Sequence, residues 1–183
     1  NILDIKGYDV VNGLGIRMSI WTAGCNNHCK GCWAQHTWNQ IQGRPTSECM
    51  QEIEEILKTN DIDGVSILGG DPLFSTFNEG SSDDLIAIID LCKSYGKSVW
   101  VWSGYSLDDI YHTDKRVLEK IDVLVEGKYD ESKRDLNLFY RGSSNQRVIF
   151  MEAPSDGVEY KHYVLSLLDD GYSLEECNGE SDK

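Results

Sequence analysis

Cys25-Asn26-Asn27-His28-Cys29-Lys30-Gly31-Cys32-Trp33 places three cysteines four and then three residues apart in one short stretch. Thiolates are soft ligands suited to iron–sulfur clusters and to zinc. Cysteines this close reach one centre with little loop-closure entropy, and Gly31 lets the backbone turn tightly before the last of them. Their number says more than their spacing. A structural zinc site closes with four protein ligands, whereas a [4Fe-4S] cluster held by three cysteines leaves one iron open to another ligand. The alternative is a zinc site completed by His28, His36 or Cys49, although zinc loops usually show two separated pairs. A disulfide framework fits worse, because such near neighbours bridge only with strained geometry.

Upstream of this loop, residues 16–21 are rich in strand formers, and Asn12-Gly13-Leu14-Gly15 before them is turn chemistry. The cysteines therefore follow the carboxyl end of a strand, where ligands bind in parallel α/β sheets. Downstream, Pro45-Thr46-Ser47 opens a helix with Met50, Ile53 and Leu57 on its apolar side and Glu52, Glu54 and Glu55 on its wet side. The buried-strand run Val65-Ser66-Ile67-Leu68 ends in Gly69-Gly70-Asp71-Pro72. Two glycines bring backbone close to a ligand and Pro72 disfavours helix at Asp71; the same residues also suit an ordinary strand-end turn. Ser81, with Asp84 three residues on, starts a second helix that carries Leu85, Ile89 and Cys92 inward and stops at Gly96.

A strand over 98–102 comes next, and Trp100-Val101-Trp102-Ser103-Gly104-Tyr105 puts aromatics on one side of it with a small polar turn at its end. Ser106 and Asp109 open a helical stretch running to Lys120. Val123-Leu124-Val125 is an apolar strand ending in Glu126-Gly127-Lys128, a charged pair suited to holding a polar ligand or to standing in solvent. A polar loop, 129–145, leads into a strand over 147–151. Tyr160, Val164 and Leu167 or Leu168 mark a final helix before an acidic tail, 175–183, expected to fray.

Alternating strands and helices imply parallel strands joined by right-handed crossovers. Eight full units need roughly 200 residues or more, so 183 residues suit an incomplete barrel or a curved open sheet. One domain over 1–183 is expected, with its core at about 8–151 and a C-terminal helix and acidic tail over 152–183.

Hydrophobic residues at 40% and charged residues at 26% are ordinary for a soluble globular chain. Seventeen Lys plus Arg against 31 Asp plus Glu give a net charge of -14, which opposes a phosphate backbone and argues against nucleic acid as a partner. The chain opens at Asn1 with no charged-then-apolar leader, and no apolar run is long enough to span a bilayer. The expected setting is cytoplasmic and off the membrane, where six cysteines stay reduced. Cys49 and Cys92 fall in helical patterns as small hydrophobes, and Cys177 lies in the polar tail as a surface thiol.

CxxxCxxC followed by an aromatic, with a Gly-Gly-acid-Pro turn after the next strand, resembles the radical S-adenosylmethionine superfamily. Closer still, the chain is similar to the activating proteins of anaerobic ribonucleotide reductase in residues 9–17, the cysteine loop, 69–72, 100–105, 122–128 and 141–147. Those segments cover most of the chain from Tyr8 to Val148. Leu14 stands where that family commonly has proline, Ala34 where asparagine often follows the aromatic, and Glu126 where aspartate is usual.

The resemblance implies an α/β fold, an incomplete β/α barrel of parallel strands. It implies a [4Fe-4S] cluster on Cys25, Cys29 and Cys32, with S-adenosyl-L-methionine chelating the fourth iron through its amino and carboxylate groups. Gly69, Gly70 and Asp71 would hold the methionine amino group, and Ser103, Glu126 and Lys128 the ribose and carboxylate; Gly31, Cys32 and Trp33 would lie beside the adenine. The implied reaction is reductive cleavage of the cofactor to methionine and a 5′-deoxyadenosyl radical, which takes a Cα hydrogen from a glycine of the large reductase subunit. The implied electron donor is one such as flavodoxin or a thiol system. Residues 141–147 would dock the partner or close the site; alone, they also read as a polar loop. The alternatives are an activase of another glycyl radical enzyme of the formate C-acetyltransferase type, a non-catalytic iron–sulfur electron carrier, or a zinc-binding module.

Overall fold

The computed structural model describes residues 1–59, 61–154, 158 and 160–178. Its strands form one eight-stranded sheet whose spatial order is the order of the sequence. In the middle lie β2 (Arg17–Thr22), β3 (Gly64–Gly69), β4 (Ser98–Ser103) and β5 (Val123–Glu126), each parallel to the next. β1 (Ile2–Asp9) runs antiparallel to β2, and β6 (Arg147–Phe150) antiparallel to β5. β7 (His162–Leu168) is parallel to β6, and β8 (Gly171–Cys177) closes the far edge antiparallel to β7.

The sheet is therefore mixed, and the expected barrel made of parallel strands is corrected to an α/β sheet with a parallel centre. The connections give the physical reason. Parallel neighbours are usually joined by a helical crossover. The links into β3 and β4 carry α1 (Thr46–Thr59) and α3 (Asp83–Ser94), and the link into β5 carries α4 (Leu107–Asp114). Between β5 and β6 the chain has only a 3₁₀ turn, Glu131–Lys133, and the returning strand pairs antiparallel.

The expected final helix is also corrected. Tyr163 and Leu165 alternate with Val164 and Ser166 along β7, Asp169 and Asp170 make a tight turn, and β8 pairs back in register from Leu168↔Gly171 to His162↔Cys177. Spacing by fours had suggested helix; the turn and the pairing select a hairpin. Glu175 and Glu176 belong to β8 rather than to a frayed tail, while 179–183 lie outside the described residues.

Smaller boundaries moved as well. α3 begins at Asp83 with Ser82 at its cap position, so the expected Ser81–Asp84 start is one residue off. The Ser106–Asp109 capping box is present, but α4 stops at Asp114 and residues 115–120 continue as turns. A short helix, α2 (Phe74–Asn78), follows Pro72 unannounced.

Two faces of the sheet do different things. On one, Met18, Ile20, Val65, Ile67, Val99, Val101 and Leu124 pack under the helices against Ile53, Leu57, Ile89, Leu107 and Ile110. Each such fully buried side chain contributes roughly 1.5–3 kcal/mol. Cys49 and Cys92 are wholly buried there, as small hydrophobes. On the opposite face, Trp100, Val123, Val125, Val148 and Phe150 form a second cluster with Trp102 and Tyr140 against it. Trp21, Leu68 and Ala34 form a third, at the carboxyl ends of β2 and β3.

Candidate iron–sulfur and cofactor site

The cysteine loop leaves β2 at its carboxyl end and is anchored at once. Gly24 N–H donates to Thr37 O (2.8 Å) and Cys25 N–H to Trp38 O (3.1 Å), so the strand's exit is tied to the segment after the cysteines. From the next strand, Asp71 N–H donates to Gly24 O (2.7 Å). The two backbones pass so closely that a Cβ on Gly70 would lie 2.4 Å from Gly24 O. Glycine at 70 is therefore a steric requirement of this contact, whatever else its backbone holds.

Cys25 is buried, and Cys29 and Cys32 are half-buried. A turn closes Cys32 N–H onto Cys29 O (3.1 Å). Burial raises the Cys25 thiol pKa, opposed by N–H groups of Asn27 and His28 that hydrogen-bond its sulfur. Burial likewise raises Cys29, whose sulfur receives the N–H of Tyr129 and feels the charges of Cys32 and Lys128. Cys32 packs against the Trp21–Leu68–Ala34 cluster. Sulfurs converged on by backbone donors beside apolar side chains are what thiolate ligands of a cluster need, since such bonds tune its potential.

The donors that might have completed a zinc site lie elsewhere. Cys49 is sealed in the helix-side core, the His28 ring packs on Trp38 at 4.7 Å, and His36 is exposed. Among the described residues no three His, Cys, Asp or Glu side chains surround a single-ion position. A four-iron cluster is wider than one ion, and its thiolates sit on separate irons.

Asp71 is the hub of the site. Its side chain is 2% exposed and accepts from Ser103 Oγ (2.9 Å), Leu73 N–H (3.1 Å), Gly104 N–H (2.9 Å) and Asn27 Nδ2 (3.0 Å). Four donors fill the lone-pair positions of a carboxylate. They join the β3 exit, the β4 exit and the cysteine loop at one atom pair. Burial nevertheless pushes the carboxyl up to about 6, against the pull of those four bonds.

The other sequence-expected residues divide by strand parity. Ser103 and Glu126 are register partners and share the helix-covered face with Val101 and Leu124, since alternate residues of a strand face alike. Ser103 Oγ is spent on Asp71 and on Tyr105 N–H (3.1 Å). Glu126, 3% exposed, accepts from Leu107 N–H at the start of α4 (3.1 Å) and pairs with Arg147 (2.5 Å). Neither side chain stands free beside the cysteines. Lys128 lines a cavity of about 540 Å³ with Lys30, Tyr129, Glu131 and Asn145, next to Cys29. Gly31 has φ +75°, and a Cβ there would lie 2.6 Å from Glu131 Oε1. Trp33 is 78% exposed and meets Trp21 edge-on at 5.4 Å. A larger cavity, about 1130 Å³, opens near the opposite strand ends around Arg17, Asp63, Ser98 and Asp122 and contains none of these residues.

Sequence reading missed Asn27, which bridges the cysteine loop to Asp71, and Tyr129, which covers Cys29. Asn27 is 44 residues from its partner, and no spacing rule reaches that far. Tyr129 acts through a backbone N–H, which leaves no mark in side-chain identity.

A family model described as a 4Fe-4S single cluster domain matches residues 11–149. The anaerobic ribonucleoside-triphosphate reductase-activating protein of Escherichia coli (strain K12) is 36% identical over 146 residues, 76% of this chain and 92% of that protein. Its counterpart in Vibrio cholerae is 37% identical over 146 residues, 75% of this chain and 90% of that protein. The phage T4 protein of the same name is 34% identical over 155 residues, 84% of this chain and 94% of its own length.

Proposed function

The chain belongs to the anaerobic ribonucleoside-triphosphate reductase-activating proteins and to a 4Fe-4S single cluster family, and we propose that it is a radical S-adenosylmethionine activase. Its substrate is the large subunit of anaerobic ribonucleotide reductase, on which it generates a glycyl radical. One observation carries this reading: the three-cysteine loop is fixed to the exits of β3 and β4 through Asp71.

In this reading Cys25, Cys29 and Cys32 hold the [4Fe-4S] cluster. When bound, cluster and S-adenosyl-L-methionine together supply the one-electron chemistry that removes the glycine hydrogen. The chain's own part is placement. Gly69 and Gly70 offer backbone to the cofactor's amino group, and Asp71 holds that turn in place. Lys128, beside Cys29, is the cation for the cofactor carboxylate. Gly31, Cys32 and Trp33 border the adenine, and exposed Trp33 marks the side that the partner's glycine loop covers, excluding water. Ser103 and Glu126 act one step back: Ser103 orients Asp71, and Glu126 clamps α4 to Arg147. Residues 141–147, which follow the loop over Cys29, are the docking segment.

The whole of 1–183 works as one domain, with β2 to β5 as the parallel arc that presents the site. An electron donor such as flavodoxin or a thiol system reduces the cluster, in the cytoplasm. Among the described residues no helix is long and apolar enough to cross a membrane, and the net charge of -14 disfavours nucleic acid.

The test is anaerobic reconstitution with iron and sulfide, reduction, and electron paramagnetic resonance with and without S-adenosylmethionine. A [4Fe-4S] signal that changes with the cofactor, followed by a glycyl radical on the added reductase subunit, is expected. Tight zinc in place of iron, or cofactor cleavage surviving replacement of all three loop cysteines by serine, overturns the reading.

A further inference from the structure

The Trp21 indole N–H is buried and has no hydrogen-bond partner. Its residue is 7% exposed, and a buried N–H left unpaired is destabilising. Indole nitrogen is a donor only, and buried Trp usually finds an acceptor for it. A phenylalanine would fill the same apolar space with nothing to satisfy.

Its position says what acceptor is missing. Trp21 lies near the carboxyl end of β2, paired with Leu68 of β3 and Asp4 of β1. It alternates with Met18 and Ile20 and so lies on the helix-free face. Leu68 and Ala34 pack against it, and Cys32 packs against the three together. Lys6 Nζ stands 5.7 Å from the ring centroid, and Trp33 closes one side. This orphan donor lies in a largely apolar niche against which the third cysteine of the loop packs, and it has no acceptor among the described residues.

We propose that the Trp21 indole N–H donates a hydrogen bond to a sulfur of the iron–sulfur cluster beside Cys32, and so raises the cluster's reduction potential. This rests on the reading of Cys25, Cys29 and Cys32 as the ligands. Reduction adds one electron and one unit of negative charge to the cluster. An N–H dipole aimed at sulfur stabilises the reduced form more than the oxidised one. Apolar neighbours strengthen the effect by lowering the local dielectric. Trp21 is on this reading a positioning and tuning residue, acting on the cluster and not on the substrate.

The experiment compares reconstituted wild-type protein with Trp21→Phe, and with a form whose residue-21 indole is replaced by benzothiophene, which keeps the ring size and removes the N–H. Iron and sulfide content, midpoint potential, and exchangeable-proton hyperfine couplings in H2O and D2O are read on each. Both altered proteins are expected to load a full cluster, to show a more negative midpoint potential, and to lose one exchangeable-proton coupling. If Trp21→Phe fails to fold, the benzothiophene form decides. A loaded cluster with unchanged potential and coupling overturns the Trp21 proposal alone. A wild-type protein that takes up no cluster overturns the ligand reading, and this proposal with it.

Discussion

Arg17 and Asp71 sit at opposite ends of the same parallel strands, and each is a buried charge satisfied by neutral groups. Arg17, 1% exposed, gives its five N–H bonds to Ser66 Oγ, Leu14 O, Ser98 Oγ, Val65 O and Ser98 O, with Trp100 against its face at 5.3 Å. Asp71 takes four donors from three segments. Both staple strand ends. Burial lowers Arg17 only to about 10, so it stays charged across the physiological range, whereas Asp71 is raised to about 6. The end away from the cysteines is thus held by a fixed charge, and the cysteine end by a titratable one.

The largest effect expected from breaking either staple is at Arg17. Arg17→Met leaves three carbonyls, that of Val65 buried and those of Leu14 and Ser98 partly so, and two hydroxyls without their donor, a loss of about 3–5 kcal/mol, read as a fall in the denaturant midpoint. The folded fraction should still load a cluster, because nothing at that end touches the cysteine loop. Asp71→Ala strands the N–H groups of Leu73 and Gly104 and frees Asn27, at about 2–4 kcal/mol. Unlike the first variant, it should also lose iron faster on gel filtration. Equal iron retention by the two variants would remove the functional difference between the two ends.

Acid sharpens the same contrast. The native Asp71 carboxyl keeps its proton up to about 6, while the unfolded one releases it near 3.9. Between those values the native state binds more protons, so stability falls as pH rises from about 4 to 6 and is flat above. At 1.36 kcal/mol per pH unit the total is at most ~3 kcal/mol. Subtracting the curve of Asp71→Asn isolates the slope, and coincident curves would show that the four donors have cancelled the cost of burial. Arg17 contributes no slope in this window.

Much of the site end was legible because its signals are local. Short apolar runs ending in Gly69-Gly70-Asp71 and Glu126-Gly127 mark parallel strands and their exits, and three cysteines within eight residues mark the loop. The side on which a strand-end residue falls is also readable, by counting back in twos. Ser103 follows Val101 and Glu126 follows Leu124, and that parity turns both toward the helices. Position at a strand end had suggested the opposite. The hairpin of β7 and β8 was ambiguous for a different reason: Tyr160, Val164 and Leu168 fit a helix as well as Tyr163, Leu165 and Leu167 fit a strand. Only pairing with β6 and the turn at Asp169 and Asp170 decide it. Contacts such as Asn27 with Asp71 were out of reach, since they exist only once two strand exits are side by side.

The smallest expected effect lies just outside the cysteine-end staple. Lys30 pairs with Glu131 at 3.1 Å across the loop that covers Cys29, but their side chains are 91% and 45% exposed. An exposed pair of this kind is worth at most ~1 kcal/mol and is screened by salt. Lys30→Ala should therefore leave both the denaturant midpoint and iron retention where they were. What holds the covering loop down is the bond from Asn145 Nδ2 to Lys128 O (2.8 Å), that from Asp130 N–H to Ser143 Oγ (3.1 Å) and the half-buried one from Trp102 Nε1 to Tyr140 O (2.8 Å). A salt-dependent loss of iron in Lys30→Ala would mean that the surface charge secures the loop, and the distinction between a buried staple and its exposed surroundings would fail at the place where it matters to the cluster.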